Sequence, residues 1–254
     1  MSSKLSSIGI IPARYGSTRF PGKPLAMIRN KSMLQRVYEK SKQSNLDKVV
    51  VATDDLRIYD HVIAFGGEAI MTSVDIGSGT ERCAAALNLI GTEYEIVLNI
   101  QGDEPFISPE LLNQLIVLFN DFTIQIASPC KLIENDDDLL NPNIVKVVFD
   151  ENHFALYFSR AAIPFIRDLH ENDRVSKHNF FSHIGIYAFR SDILSEIVEL
   201  PVHALEKAES LEQLRWLANN YSIRLIKTGY QSISVDTPDD LDRINSQIDD
   251  LESI

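Results

Sequence analysis

The run Ile8-Gly9-Ile10-Ile11-Pro12-Ala13, continuing into Arg14-Tyr15-Gly16-Ser17-Thr18-Arg19-Phe20-Pro21-Gly22-Lys23-Pro24-Leu25, constrains this chain more than any other stretch. Its first part is short, apolar and β-branched, the pattern of a strand buried on both faces. Its second part, punctuated by glycine and proline, reads as a loop. Arg14, Arg19 and Lys23 put positive charge at a strand's carboxyl end, where open α/β sheets bind ligands. That charge, with free backbone N–H groups, suits a polyphosphate. A Walker phosphate loop is excluded: five residues separate Gly16 from Gly22 instead of four, and Pro24 stands where Ser or Thr would hold magnesium. The competing reading is a solvated basic loop on a generic Rossmann-like domain.

The net charge of −12 excludes a broad nucleic-acid surface, which needs clustered Lys and Arg, and it makes the cationic loop stand out. Hydrophobic residues at 44% and charged residues at 24% are globular rather than disordered composition. Residues 1–7 lack an apolar core of a leader, and no apolar run approaches a membrane span, so no membrane insertion and a cytoplasmic location are expected. Cys83 and Cys130 are isolated, which indicates neither a disulfide framework nor a zinc site; both read as small buried apolar residues.

Strand-like and helix-like segments alternate, the grammar of a largely parallel sheet covered by helices. Residues 32–41 place Met33, Leu34, Val37 and Tyr38 on one helical face. Residues 48–53 read as a second buried strand, 57–65 as a helix stopped by Gly66-Gly67, and 69–71 as a brief strand. Ser78-Gly79-Thr80-Glu81 is a capping box opening a helix that Gly91 closes. Residues 95–100 form the next strand, and Ser108-Pro109-Glu110 starts another helix. Glu134 to Asp138 reads as an acidic solvated loop. From Ile144 the grammar turns antiparallel: 144–150, 153–160 and 182–190 read as strands, with a turn at Asp150-Glu151-Asn152, and 167–179 as a polar mobile segment. Residues 192–200 and 205–219 read as helices, 223–227 as a strand, and Thr237-Pro238 as the cap and first residue of a final helix. The expected organisation is one domain, 1–254, with an antiparallel insertion at about 144–190 that offers a dimerisation surface.

Asp103 and Glu104 follow a buried strand and a glycine, which places hard oxygen ligands at the sheet edge that carries Arg14 and Lys23. Magnesium is often held by one or two carboxylates plus phosphate oxygens. Asp236 is a second such carboxylate, although Asp before Thr-Pro is also an ordinary helix-entry signature. Asp136-Asp137-Asp138 fits the Asp-x-Asp pattern of metal-dependent glycosyltransferases, but three adjacent charges in an Asn-rich turn read first as a solvated acidic turn. His183, beside a strand, is either a satisfied core histidine or a substrate contact. No nucleophile elbow is present, so covalent catalysis has no support.

The opening loop together with Asn99 to Pro105 resembles the 3-deoxy-manno-octulosonate cytidylyltransferase (CMP-Kdo synthetase) family. The likeness runs nearly end to end and in order. It includes residues 11–25, Val51 to Asp55, Met71-Thr72-Ser73, Ser78 to Arg82 and 99–105. It continues through Ala155 to Arg160, His183 to Tyr187, Leu211 to Arg215 and Val235 to Pro238. The resemblance implies a three-layer α/β/α nucleotidyltransferase sandwich, Rossmann-like, with a mostly parallel mixed sheet and an antiparallel dimerisation insertion. It implies a homodimer that uses Mg2+ to join CTP to 3-deoxy-manno-octulosonate (Kdo), giving CMP-Kdo and pyrophosphate for lipopolysaccharide biosynthesis. By the family's pattern Arg14 and Lys23 hold the triphosphate, Asp103 and Asp236 bind magnesium, and Gln101 lies where sugar and nucleotide meet. Ala13, Ser73, Ser78 and Gly79 fall near cytosine and ribose. Arg160, His183, Tyr187, Glu212 and Gln213 line the sugar site, with Arg160 pairing the sugar carboxylate.

One departure stands out: many family members carry a histidine before Ser-Gly-Thr, where this chain has Asp75-Ile76-Gly77. A branch using the 8-amino-3,8-dideoxy sugar also lacks it, and the Arg-Tyr-Gly-Ser and Ser-Ile-Ser-Val-Asp-Thr-Pro strings look similar to that branch. The resemblance therefore leaves the C8 substituent open. The rival readings are a glycosyltransferase built on Asp136 and Asp138, and a nucleotide-sugar sensor without a metal site.

Overall fold

The computed structural model describes residues 5–16, 20–91, 93–167 and 174–251. They divide into two compact units, Met1–Val117 with Gln231–Ile254, and Leu118–Tyr230.

The first unit is built on β1 (Ser7–Ala13). Ile8, Ile10 and Ile11 are fully buried, as a strand with partners on both edges and apolar cover on both faces requires. After it, β2 (Met27–Ile28) and β3 (Lys31–Ser32) form a small antiparallel pair. Helix α1 (Met33–Ser41) follows, its N-terminus satisfied by Ser32, which accepts from the Gln35 N–H. Strand β4 (Lys48–Thr53) runs parallel to β1 from Ile8 against Lys48 to Ala13 against Thr53. Helix α2 (Leu56–Ala64) is capped by Asp55, and β5 (Ala69–Met71) pairs parallel with β4. Helix α3 (Gly79–Ile90) starts with the expected reciprocal capping box of Ser78 and Glu81. Strand β6 (Ile96–Asn99) lies parallel to β1 on its other edge, and α4 (Pro109–Leu118) follows. The order β5-β4-β1-β6 leaves the carboxyl ends of these strands on one edge, so the turns after Ala13, Thr53, Met71 and Asn99 open to the same side.

The second unit is mostly antiparallel. Strand β7 (Ile126–Leu132) is its axis, pairing antiparallel with two later strands and parallel with a third. It has no counterpart in the sequence reading, and Pro129, which has no N–H to give a ladder, weakens the strand pattern there. Residues 136–140 form a short helix, α5, whose first turn holds Asp136, Asp137 and Asp138 and whose cap is Asn135. The expected acidic loop is thus corrected: the three carboxylates sit at the electropositive end of a helix, where they are favourable. Strands β8 (Lys146–Phe149) and β9 (Ala155–Ser159) make the expected hairpin. Of the segment expected to be mobile, residues 168–173 lie outside the described residues, and Arg174–Lys177 is helical (α6). The run expected as one strand at 182–190 is two, β10 (Phe181–His183) and β11 (Tyr187–Arg190). Between them the Ile186 N–H turns back to the Ile184 carbonyl.

Helix α7 (Ser191–Ile197) follows. The amphipathic helix expected over 205–219 is likewise divided, into α8 (Ala204–Glu209) and α9 (Gln213–Ala218), by Ser210 at φ 52°. Strand β12 (Ile223–Lys227) runs parallel to β7, and the chain ends in α10 (Pro238–Leu251), which belongs to the first unit. Among the described residues no helix is long and apolar enough to cross a membrane.

Candidate active site

In the first unit, β1 delivers Ala13, 4% exposed, and then Arg14 to the open edge of the sheet. The loop that follows is tied on either side of residues 17–19, which include Arg19 and lie outside the described residues. The Gly22 N–H donates to the Tyr15 carbonyl at 2.9 Å. Gly22 has φ 72°, the left-handed region that favours glycine, and a Cβ there would crowd the Tyr15 ring at 3.1 Å. The Arg57 guanidinium lies 3.3 Å from the centre of the same ring, itself held by a two-pronged pair with Asp55. The single 3-10 turn Lys23–Leu25 then aims the Lys23 side chain inward.

Lys23 Nζ meets Asp103 Oδ2 at 2.6 Å and Asp236 Oδ1 at 3.3 Å. Asp103 leaves β6 through Gln101 and Gly102, and its carbonyl accepts the Val235 N–H at 3.1 Å, so the two acidic segments are fastened backbone to backbone. Glu104, 6% exposed, accepts from the Ser232 hydroxyl and secures the same crossing. The helix-entry reading of Asp236 does not account for its carboxylate. Thr237 performs the capping, accepting from the Asp240 N–H while Asp240 accepts from the Asp236 and Thr237 N–H groups. Asp236 is thereby left to face Lys23.

Two adjoining clefts share Pro12, Ala13, Arg14 and Gln101. The first, about 290 Å3, adds Lys23, Gly102, Asp103 and Asp236. The second, about 150 Å3, adds Ile76, Gly77, Ser78, Gly79 and Arg82. Together they reach the range of ~300–1,000 Å3 usual for small-molecule sites. The first cleft carries both cations and carboxylates, and the second has no carboxylate and adds small residues at the start of α3, a division that suits a phosphate chain beside a base and ribose. The expected residues Ala13, Arg14, Lys23, Ser78, Gly79, Gln101, Asp103 and Asp236 thus meet here. Ser73 is exposed, its hydroxyl engaged with Asp75.

Arg82 is a site residue to which the sequence assigned no role, although it ends the Ser-Gly-Thr-Glu-Arg string. It is 3% exposed. Its guanidinium donates to Asp54 Oδ2 at 2.8 Å, to Thr72 Oγ1 at 2.6 Å, and to the carbonyls of Ser73 and Ile76 at 3.4 and 3.5 Å. A planar donor fork of this kind fixes the segment 72–76, whose last residue, Ile76, lines the second cleft.

The other expected residues lie in the second unit. His183 packs against Phe158 and Tyr187, and its Nε2 is 2.8 Å from the Ser128 hydroxyl. Burial pushes its pKa down to about 3, so the ring is neutral. Tyr187 is raised well above the ordinary tyrosine value by burial, with the Glu212 carboxylate adding to it. Gln213 is 4% exposed and its Nε2 has no partner among the described residues, a buried donor with no oxygen to meet. Glu212 accepts from Arg215 at 2.9 Å. The Arg160 guanidinium donates to the carbonyls of Glu209, Pro142 and Ser210 at 2.7, 3.0 and 3.4 Å, so part of its donor set clamps the fold. Asp136 and Asp138 are occupied locally, by the Val175 N–H and by Asn135. Among the described residues no group of three or more acidic, histidine or cysteine side chains could hold a metal ion.

The model of the cytidylyltransferase family matches residues 8–226. A 3-deoxy-manno-octulosonate cytidylyltransferase of Parabacteroides distasonis is 52% identical over 240 residues, which cover 93% of this chain and 95% of that protein. One from Bacteroides thetaiotaomicron is 51% identical over 237 residues, 92% and 94% of the two chains. Among solved structures, CMP:2-keto-3-deoxy-manno-octonic acid synthetase complexed with CTP superposes with a TM-score of 0.90 at 40% identity, covering 96% of this chain and 99% of that one. A 4-diphosphocytidyl-2C-methyl-D-erythritol synthase from Anaerococcus prevotii, 13% identical with a TM-score of 0.64, shares the fold.

Proposed function

The chain belongs to the cytidylyltransferase family, among the 3-deoxy-manno-octulosonate cytidylyltransferases, and from that premise we propose that it transfers CMP from CTP to Kdo and releases pyrophosphate. The observation that carries this reading is the Lys23 ammonium held between Asp103 and Asp236 beside Arg14 and Gln101. Lys23 there lies between two carboxylates that converge from distant parts of the sequence. A divalent ion with hard-oxygen preference fits that donor set, its remaining ligands being water and phosphate oxygen. Asp103 and Asp236 would hold Mg2+ there, and the ion would neutralise phosphate charge and acidify a hydroxyl beside it.

The chain's own residues do the rest by positioning and charge. Arg14 and Lys23 would bind the triphosphate and stabilise the charge that gathers on departing pyrophosphate. Ala13, Ser78 and Gly79, with the segment that Arg82 fixes, would hold base and ribose. The sugar's anomeric hydroxyl attacks the α-phosphorus in line, with no covalent enzyme intermediate. Gln213, with its unpartnered donor, and the neutral His183 supply hydrogen-bonding groups for sugar oxygens. The same reading has the protein working in the cytoplasm as a homodimer. Leu156 and Phe165, 62% and 74% exposed within the 144–190 segment, favour a covering partner, and sedimentation at micromolar concentration tests it.

The deciding assay is pyrophosphate release from CTP and magnesium with Kdo, its 8-amino analogue and sialic acid in parallel. Release with Kdo supports the proposal. Release with none of the three, or formation of a free nucleotide from a nucleotide-sugar instead, rejects it.

A further inference from the structure

Ser128 lies in the middle of β7 and is fully buried. Its hydroxyl oxygen is near three groups: the Ile186 carbonyl at 2.7 Å, the Ile184 carbonyl at 3.3 Å and His183 Nε2 at 2.8 Å. A serine hydroxyl has one proton to give, and carbonyls can only accept. Were the proton given to His183, the oxygen would face the Ile186 carbonyl oxygen at 2.7 Å with no hydrogen between them. The proton therefore goes to the carbonyls of the bend between β10 and β11, and the contact with His183 is satisfied only if Nε2 carries a hydrogen and donates it. The ring is neutral, so its other nitrogen is bare. Nδ1 has no partner among the described residues, and His183 as a whole residue is partly exposed.

We infer that Ser128 is a positioning residue, which holds His183 as the Nε2–H tautomer with its ring orientation fixed and so presents Nδ1 as an acceptor for a sugar hydroxyl. The second half of this statement rests on the reading that His183 belongs to the sugar site; the first half does not. A histidine fixed this way accepts from a hydroxyl and rejects a group that offers only lone pairs, which gives the subsite a preference for a donor. Ser128 serves this preference while it also closes the bend that carries His183 into position.

The first test is the imidazole 15N spectrum of the full-length protein labelled at histidine, with the His183 signals identified by their loss in His183→Asn. The expected result is a protonated-type shift at Nε2 and a bare-type shift at Nδ1. A protonated Nδ1 in the wild type overturns the proposal, with no variant needed. The second test is Ser128→Ala. The two nitrogen shifts should move toward each other as the second tautomer becomes populated, and the Nε2 proton should exchange faster with water. The KM for the sugar should rise about five- to tenfold, the loss of one well-placed neutral hydrogen bond, while the KM for CTP stays within twofold. An unchanged spectrum in Ser128→Ala overturns the positioning role. A changed spectrum with an unchanged sugar KM overturns the link to the sugar. Failure of cytidylyl transfer itself would show in the wild-type pyrophosphate assay, which is independent of the spectrum.

Discussion

Asp103 and Asp236 lie 2.6 and 3.3 Å from one and the same Lys23 ammonium, although they stand 133 positions apart in sequence. Lys23 is thus shared between two duties. Without ligands it neutralises the carboxylates; with a triphosphate present it would be needed by phosphate oxygens. A divalent ion held by both carboxylates would compete with the ammonium, so metal and nucleotide should favour each other, since phosphate oxygens would offer Lys23 another partner.

This competition makes Lys23→Met informative in two directions. Turnover should fall by at least a hundredfold, because a cation that stabilises leaving-group charge is lost. In the nucleotide-free protein, however, Mn2+ should bind about tenfold more tightly, since a unit charge a few ångströms away at a half-buried site opposes the ion by a few kcal/mol at most. Mn2+ titration followed by electron paramagnetic resonance checks this. Equal or weaker binding in the variant would rule the competition out.

Asp103→Asn keeps the shape of the side chain and removes its charge. Turnover should drop by at least a thousandfold while the urea midpoint shifts little, because the Asp103 backbone carbonyl, which bonds the Val235 N–H, is untouched. Near-normal pyrophosphate release from the folded variant would remove Asp103 from any metal-binding role.

How much of this could be read from the sequence depended on where each signal was stored. The β1 strand, the Ser78 and Glu81 box and the Thr237-Pro238 start are local patterns, and each stands where expected. The break between α8 and α9 is not local. No glycine or proline marks Ser210, and the carbonyls freed by its left-handed turn are taken up by Arg160, about 50 residues earlier. The bend between β10 and β11 is similar, since its carbonyls are satisfied by Ser128 from another strand. Arg82 was visible as a letter in a motif, but its work follows from the segment that folds around it. Asp236 was legible as a candidate ligand beside a helix-entry alternative, and the alternative falls to a contact between neighbours, since Thr237 accepts from the Asp240 N–H.

Arg82→Lys tests that positional role. Lysine keeps the charge near Asp54 but cannot span Asp54, Thr72 and the carbonyls of Ser73 and Ile76 together. The KM for CTP should rise about tenfold and the sugar KM far less. A parallel rise in both would show general loosening instead of a loosened nucleotide wall.

His183 gives a pH dependence with a definite sign. Its folded-state pKa of about 3 lies below the ordinary 6.5, so between these values the unfolded chain binds the proton and the folded one does not. Its contribution is therefore intact above pH 6.5 and is lost progressively as pH falls toward 3. Burial also lowers His61 and His153, which tilt stability the same way. Between pH 7 and 5.5 the wild type should lose about 1 kcal/mol more than His183→Gln, as a partly solvated ring loses less than the full linkage value. Urea titrations of both proteins at the two pH values measure the difference, and parallel losses would contradict a neutral His183.

Arg160 carries the last prediction, because its two duties separate in measurement. A guanidinium has five N–H donors, and three here go to carbonyls, at Pro142, Glu209 and Ser210. The fold therefore leaves it two donors for a carboxylate, enough for the paired recognition that arginine gives such groups. Arg160→Ala removes both functions. Three carbonyls lose their donor, so stability should fall by about 2–3 kcal/mol. Supplying the variant with saturating sugar separates the second duty from the first: the sugar KM should rise at least tenfold with the CTP KM nearly unchanged. If the two KM values rise together, the guanidinium clamps the bend at Ser210 and has no part in binding the sugar carboxylate.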